Sequence, residues 1–70
     1  MKKTNKGDLV YVPADVTLCM NDEEGNAYKI MKLSKPTNLL VTKINEGTYE
    51  VLHAGENWLV NKNKTYEVKQ

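Results

Sequence analysis

The stretch that decides the fold reads Asn38-Leu39-Leu40-Val41-Thr42-Lys43-Ile44, then Asn45-Glu46-Gly47, then Thr48-Tyr49-Glu50-Val51-Leu52-His53. Its first part is an almost continuous apolar run rich in β-branched residues, which favours a buried strand. A linker of three residues ending in glycine has the spacing of a hairpin loop, and we expect Gly47 to take the left-handed conformation. The stretch therefore predicts a central antiparallel hairpin.

The chain on both sides of this hairpin also reads as short strands separated by turn residues. Val16, Leu18 and Met20 alternate on one face, and Pro13 ends the strand before them because proline cannot donate to a ladder. The polar residues 21–26 form a loop, residues 54–57 read as a four-residue turn, and residues 61–65 fit one 3₁₀ turn. The predicted strands are 9–12, 16–20, 27–33, 38–44, 48–53, 58–60 and 66–68.

This spacing of strands and turns predicts an all-β fold, a small five- to six-stranded antiparallel barrel with one short 3₁₀ turn before the last strand. A length of 70 residues allows one domain. We assign residues 7–70 to that domain and residues 1–6 to a flexible, basic N-terminus. A domain of this size needs most of its large apolar residues for the core, which leaves little for a deep catalytic cavity.

The cysteine and histidine content limits the chemistry that the chain can perform. Cys19 is the only cysteine and His53 the only histidine, so neither an intramolecular disulfide nor a structural zinc site of ordinary ligands can form. A reduced, cytoplasmic location fits a single thiol. No phosphate-binding loop or nucleophile elbow is present, which predicts a protein that is not an enzyme and needs no cofactor.

The ends of the chain carry no membrane signal. The basic start is not followed by an apolar segment, so it does not read as a signal peptide. No apolar run approaches the roughly 20 residues of a spanning helix. We therefore expect a small soluble domain without a membrane partner.

The order of these elements resembles the Src-homology-3-like barrel. Lys6-Gly7-Asp8-x-Val10-x-Val12 is similar to the first strand of KOW-type and related bacterial or phage barrels. Trp58-Leu59-Val60, a polar turn and Tyr66-x-Val68 are similar to the last two strands of such barrels and the 3₁₀ turn between them. The resemblance covers residues 6–69 and implies a binding domain, with RNA or ribosomes as partners in the KOW case.

Two features depart from the families with known ligands. Polyproline-binding domains carry an Ala-Leu-Tyr-like motif in the first strand and paired tryptophans before a middle strand, whereas Trp58 stands alone and late. KOW domains place a glycine soon after the first strand, where this chain has Pro13-Ala14-Asp15. The resemblance therefore implies the fold but transfers no set of functional residues.

The aromatic side chains are the candidates for a contact surface. Tyr and Trp combine a large apolar area with a polar group, and they dominate many interaction surfaces. We predict that Tyr28, Tyr49, Trp58 and Tyr66 contact a protein partner. The alternative is that they pack the barrel, since the chain has no phenylalanine.

The composition also suggests nucleic-acid binding as an alternative function. The chain has ten lysines, nine acidic residues and a net charge of +1. All its basic residues apart from His53 are lysines, and the absence of arginine counts against a sequence-specific nucleic-acid reader. Weak RNA or DNA binding remains open, through stacking aromatics and lysines. The candidate lysines are Lys29, Lys32, Lys43, Lys62 and Lys64.

The sequence thus predicts a non-catalytic protein-interaction module that is monomeric or weakly homo-oligomeric. Its small size and strand pattern suggest a phage-encoded or accessory protein that binds a larger host assembly. Nucleic-acid binding is the alternative. The excursion between residues 13 and 37 is longer than a minimal barrel requires, so we expect function to involve it.

Overall fold

Seven β-strands and one 3₁₀ turn make up the fold in a computed structural model that describes residues 4–68. Strands β1 to β7 are Leu9–Val12, Thr17–Asn21, Ala27–Lys32, Thr37–Ile44, Thr48–His53, Glu56–Asn61 and Tyr66–Glu67. The 3₁₀ turn, Lys62–Lys64, lies between β6 and β7 as predicted. The all-β prediction is confirmed, and no α-helix occurs in the described part of the chain.

The strands form one antiparallel sheet in the order β3-β2-β6-β5-β4-β1-β7. Its strand count is seven rather than the five or six expected for the barrel, because each of the seven predicted segments forms a strand, down to the two residues of β7 that pair with β1. Within residues 4–68 the sheet order ends at β3 on one side and at β7 on the other. The hydrogen bonding therefore does not close the sheet into the barrel that we expected.

One face of the sheet holds the core. Alternate residues of β1, β2, β4, β5 and β6 point to this face, and the fully buried ones among them are at most 3% exposed. With no α-helix to cover it, a single sheet can bury one face only by curling over itself, and the smallest dimension of the fold, 21 Å, is about two sheet spacings. The buried core residues are Val10, Val12, Leu18, Leu33, Leu39, Val41, Val51, Trp58 and Val60.

A β-bulge in β4 keeps a lysine out of the core. Strict alternation after Leu39 and Val41 would turn Lys43 inward. The register instead shifts between Val41 and Lys43, so that Lys43 lies opposite Glu50 and Ile44 opposite Tyr49. An extra residue on one strand moves every later side chain to the other face, which places the ammonium group at the surface.

The turn between β5 and β6 is shorter than predicted. His53 pairs with Glu56, so the turn contains only Ala54 and Gly55, and both have positive φ, 53° and 79°. Two consecutive left-handed residues define the type I′ turn of tight hairpins. The four-residue turn is therefore wrong, and β6 begins at Glu56. The left-handed conformation predicted for Gly47 is also wrong, because only Gly7, Gly25 and Gly55 have positive φ among the described glycines.

The N-terminal segment predicted to be flexible falls partly outside the described residues. Residues 1–3 are not described, nor are residues 69 and 70. Within the described part, the Asn5 N–H donates to the Asp8 carboxylate at 2.8 Å, and the Asp8 N–H donates back to the Asn5 carbonyl at 3.0 Å. These two bonds tie Asn5 to the residue just before β1.

Candidate functional site

Three leucines form a row across the face opposite the core. Leu9 of β1 lies directly opposite Leu40 of β4, and Leu40 lies opposite Leu52 of β5. Directly paired residues of an antiparallel sheet point to the same side, with Cβ atoms about 5 Å apart. The three side chains are between 37% and 40% exposed, so a continuous aliphatic ridge faces solvent.

Two tyrosines extend this ridge to the edge of the sheet. Tyr11 lies two residues beyond Leu9 on the same face, and it pairs with Tyr66 of β7. Their rings are tilted by 56° with centroids 6.2 Å apart, a normal geometry for an aromatic pair. We call the five residues Leu9, Tyr11, Leu40, Leu52 and Tyr66 the exposed apolar patch.

Polar residues border the patch along its strands; two of them are neutral, and Glu50, two residues before Leu52 on the same face of β5, is charged and lies opposite Lys43. Asn38 lies opposite Tyr11, and Asn57 lies opposite Leu52. Single exposed apolar side chains are ordinary on protein surfaces, whereas a contiguous set with a polar rim marks an interaction surface. The arrangement suits an apolar partner surface more than a charged one.

The four aromatics predicted as contact residues are not brought together. Tyr66 belongs to the patch on β7, while Tyr28 lies on β3 at the opposite end of the sheet order. Tyr28 is 66% exposed, and its hydroxyl lies 3.8 Å from the Met20 sulfur. The two exposed members of the predicted set therefore belong to separate surfaces.

The other two predicted contact residues lie on the core side. Trp58 is 3% exposed, so packing is the alternative that its position supports, and its ring offers no free surface to a partner. Tyr49 is partly buried against the core, with the Lys62 ammonium nitrogen 5.4 Å from its ring centroid. Both rings contribute to stability in this arrangement.

The five candidate lysines do not form a stripe. Lys29 and Lys32 lie three residues apart on β3, an odd spacing that directs them to opposite faces. The Lys29 ammonium is 3.3 Å from Glu56, and Lys43 lies opposite Glu50. Lys62 and Lys64 are on the 3₁₀ turn, where Lys62 covers Tyr49. Several of these charges therefore already have a partner within the chain.

An open groove is lined by residues of the β2–β3 hairpin and of β4, β5 and β6. Its volume is about 300 Å³, and its lining includes Tyr28, Lys43, Glu50, Asn57 and Leu59. A predicted aromatic and a predicted lysine, Tyr28 and Lys43, both line this groove. Its lining is mostly polar, in contrast to the exposed apolar patch.

The cysteine and the histidine, Cys19 and His53, lie in different parts of the sheet. Cys19, on β2 next to the edge strand β3, pairs with Ile30 and Leu59, whereas His53 pairs with Glu56 beside the turn that follows β5. In residues 4–68, no group of three His, Cys, Asp or Glu side chains could hold a metal ion.

The loop of residues 21–26 is held by hydrogen bonds to one of its own acidic side chains. The Asp22 carboxylate accepts the backbone N–H groups of Glu24 at 3.0 Å and Asn26 at 2.9 Å. Such bonds replace the backbone pairing that a turn interrupts. Asp22 therefore shapes the turn between β2 and β3, while Glu23 and Glu24 stay in solvent.

The predicted contact set did not include four of the five patch residues, Leu9, Tyr11, Leu40 and Leu52. One signal for them was present. In β4 and β5, apolar residues occupy both alternating positions, as in Leu39-Leu40 and Val51-Leu52. A strand with apolar residues on both faces either is covered on both sides or exposes one apolar face. The signal shows that an apolar face exists, but it does not show which leucines are neighbours.

The chain was compared with protein-family models, with curated proteins and with solved structures, and no match was found in any of the three. No helix in the described part of the chain has the length and apolar character needed to cross a membrane.

Proposed function

We propose that this chain is a non-catalytic protein-interaction module that docks through the exposed apolar patch. The observation that carries the proposal is the uninterrupted register Leu9–Leu40–Leu52 on solvent-facing strands, continued by the Tyr11–Tyr66 pair. An aliphatic ridge beside aromatic rings is the composition of interface centres. Of the predicted contact residues, Tyr66 belongs to this surface.

The proposal includes a Src-homology-3-like fold. Its support is the chain order: β1, the β2–β3 excursion, the consecutive β4-β5-β6 hairpins, the 3₁₀ turn, and a last strand that returns to pair with β1. We further propose that the chain is a small phage-encoded or accessory protein that acts on a larger host assembly. A cytoplasmic location is part of the proposal and rests on the single thiol, Cys19.

The partner surface that would fit the patch is apolar and uncharged. The rim residues Asn38 and Asn57 can hydrogen-bond but bring no charge. Binding driven by apolar burial depends little on salt, whereas binding to nucleic acid weakens steeply as salt rises. Salt dependence therefore separates this function from the nucleic-acid alternative.

The test is capture from bacterial lysate with two matched variants. Leu52→Lys places a charge in the patch, and Ile44→Lys places the same charge at a position that is equally exposed (40% and 41%) but outside the patch. We expect wild type and Ile44→Lys to retain the same protein at low and high salt, and Leu52→Lys to lose it. Circular dichroism on all three checks that the variants are folded.

Three results would contradict the proposal. One is the capture of the same protein by Leu52→Lys, and another is loss of the captured material on nuclease treatment. The third is retention of no protein by wild type.

A further inference from the structure

The open groove of about 300 Å³ takes no part in the proposed function. Its volume lies at the lower end of the range for small-molecule sites. Three asparagines, an exposed tyrosine and two charged residues of opposite sign are among the residues that line it. The chemistry of these side chains identifies the class of ligand that the groove can bind.

Strand register builds one side of the groove. Glu50 of β5 lies opposite Lys43 of β4 and also opposite Leu59 of β6. Directly paired residues point to the same side of a sheet, so the three side chains form a row across three strands. Lys43 and Glu50 are the charged residues of the lining, and their charges cancel. Charge complementarity therefore favours a neutral ligand.

The three asparagines supply both kinds of hydrogen-bonding group. The Asn57 carbonyl oxygen accepts from the Thr42 hydroxyl at 3.2 Å, whereas the Asn45 amide nitrogen donates to the Thr48 hydroxyl at 3.3 Å. Within the described residues, this leaves the Asn57 nitrogen, the Asn45 oxygen and the whole Asn21 amide available. The groove thus offers donors and acceptors together, which suits hydroxyl groups because each hydroxyl both donates and accepts.

Tyr28 adds an apolar surface to this polar lining. Its side chain is 66% exposed, and its hydroxyl lies 3.8 Å from the sulfur of Met20, which also lines the groove. The face of an aromatic ring carries partial negative charge and attracts weakly positive hydrogen atoms. A matching ligand therefore has C–H groups on one surface and hydroxyl groups around them.

We propose that the groove binds a neutral saccharide. A pyranose ring presents C–H groups on its faces and hydroxyl groups at its rim. The C–H groups suit the ring of Tyr28, and the hydroxyl groups suit the three amides and the side chains of Lys43 and Glu50. The groove volume fits a mono- or disaccharide.

A nucleic acid matches the same groove less well. Each of its phosphates is negatively charged, whereas Lys43 is the single lysine of the lining and lies opposite Glu50. The two ligand classes also respond differently to salt. Binding of a neutral saccharide is independent of salt, and binding of a nucleic acid weakens steeply as salt rises.

Titration of the full chain, followed by its amide resonances, tests the proposal. The probes are maltose, lactose and N,N′-diacetylchitobiose, each added up to about 50 mM. We expect saturable shifts at the groove residues with at least one probe, because C–H faces and hydroxyl groups are common to all three. The expected dissociation constant is about 0.1–10 mM, since an open groove covers only part of a ligand. It should be the same at about 50 mM and 500 mM salt.

Two variants and a matched control locate the binding. Tyr28→Ala should raise the dissociation constant at least about tenfold, and Asn57→Ala about threefold to tenfold. Tyr66→Ala removes a tyrosine of similar exposure, 58% against 66%, from β7 outside the groove, and it should leave saccharide binding unchanged. All three positions are exposed, and circular dichroism checks that the variants are folded.

The saccharide proposal and the proposed function can fail separately. Tyr28→Ala should still capture the protein partner of the exposed apolar patch, because Tyr28 is not part of that patch. The saccharide proposal is overturned if none of the three probes gives saturable shifts at about 50 mM. Binding that Tyr28→Ala leaves unchanged would overturn it as well. So would saturable shifts of the groove residues with single-stranded DNA that disappear as salt rises, since these would assign the groove to nucleic acid.

Discussion

The indole N–H of Trp58 donates to the carbonyl oxygen of His53 at 3.3 Å, across a turn of only two residues. A buried indole is stable when its single donor has a partner. The Lys29 ammonium nitrogen lies 5.5 Å from the ring centroid and adds a cation–π contact. This arrangement accounts for Trp58 as part of the core and places it outside the proposed contact surface.

Replacement of Trp58 by alanine should unfold the domain or nearly so. Removing a buried aromatic ring costs about 3–5 kcal/mol, which is comparable with the whole stability of a small domain. The measurement is urea denaturation followed by circular dichroism. Tyr28→Ala is the control, and we expect a change within about 0.5 kcal/mol because its side chain is 66% exposed. A fully folded Trp58→Ala would show that the ring is not needed for packing.

The two glycines that follow β4 and β5 should respond differently to alanine. Gly55 has a φ of 79°, and a Cβ there would meet no atom within 4 Å, so its cost is purely conformational. We expect Gly55→Ala to destabilise by about 1–2 kcal/mol, because left-handed backbone disfavours a Cβ. Gly47 also has open space but lacks a left-handed φ, and Gly47→Ala should be neutral or stabilising by up to about 1 kcal/mol.

Thermal denaturation of Gly47→Ala and Gly55→Ala under the same conditions tests whether the two variants differ in stability. Equal losses of stability would mean that Gly47 also needs a backbone conformation that only glycine adopts easily.

The turn between β5 and β6 also offers a position for a stabilising substitution. Ala54→Asn should raise stability by about 0.5–1 kcal/mol, because Asn tolerates the left-handed conformation that Ala54 adopts at φ 53°.

The ion pair between Lys29 and Glu56 should contribute little. The ammonium lies 3.3 Å from both carboxylate oxygens, and the side chains are 48% and 47% exposed. Exposed pairs of this kind contribute about 0–1 kcal/mol and weaken with salt. A double-mutant cycle with Lys29→Gln and Glu56→Gln, at low and high salt, should give a coupling energy within this range. A larger coupling that is insensitive to salt would contradict this expectation.

Generic nucleic acid should not produce a saturable response. The candidate lysines are divided among β3, β4 and the 3₁₀ turn, and Lys29 and Lys43 already face acidic residues. We expect mixed RNA and single-stranded DNA at low salt to shift no amide resonance in a saturable way. Lys43 and Tyr28 line one groove. Saturable shifts of their amide resonances would favour nucleic-acid binding if those shifts disappear as the salt concentration rises.

Local features of the fold were predictable because they depend on neighbouring residues. Side chains alternate between the two faces of any strand, and this alternation predicted that Val16, Leu18 and Met20 share one face. The structure buries Leu18 completely and packs the other two against the core. The same alternation is visible in β3, where Met31 packs against the core and its neighbour Ile30 is 69% exposed.

Two local features were not predicted, because residue preference was overruled at both positions. Ala54 is an unusual choice for a left-handed residue, so the two-residue turn carried no clear signal in the sequence. The sequence likewise carries no clear signal for the bulge after Val41. It exists because the strand would otherwise turn Lys43 into the core, and the cost of burying an unpaired charge exceeds the cost of one irregular residue.

Strand positions and their core-facing residues follow from the period of two along each strand, which is a property of the backbone and needs no distant contact. The neighbours across the sheet follow from register, which depends on how segments far apart in sequence pack together. Leu9 and Leu52 lie 43 residues apart and are neighbours only because Leu40 pairs with both. For that reason the side-by-side arrangement of Leu9, Leu40 and Leu52, on which the proposed function rests, was decided by the tertiary structure alone.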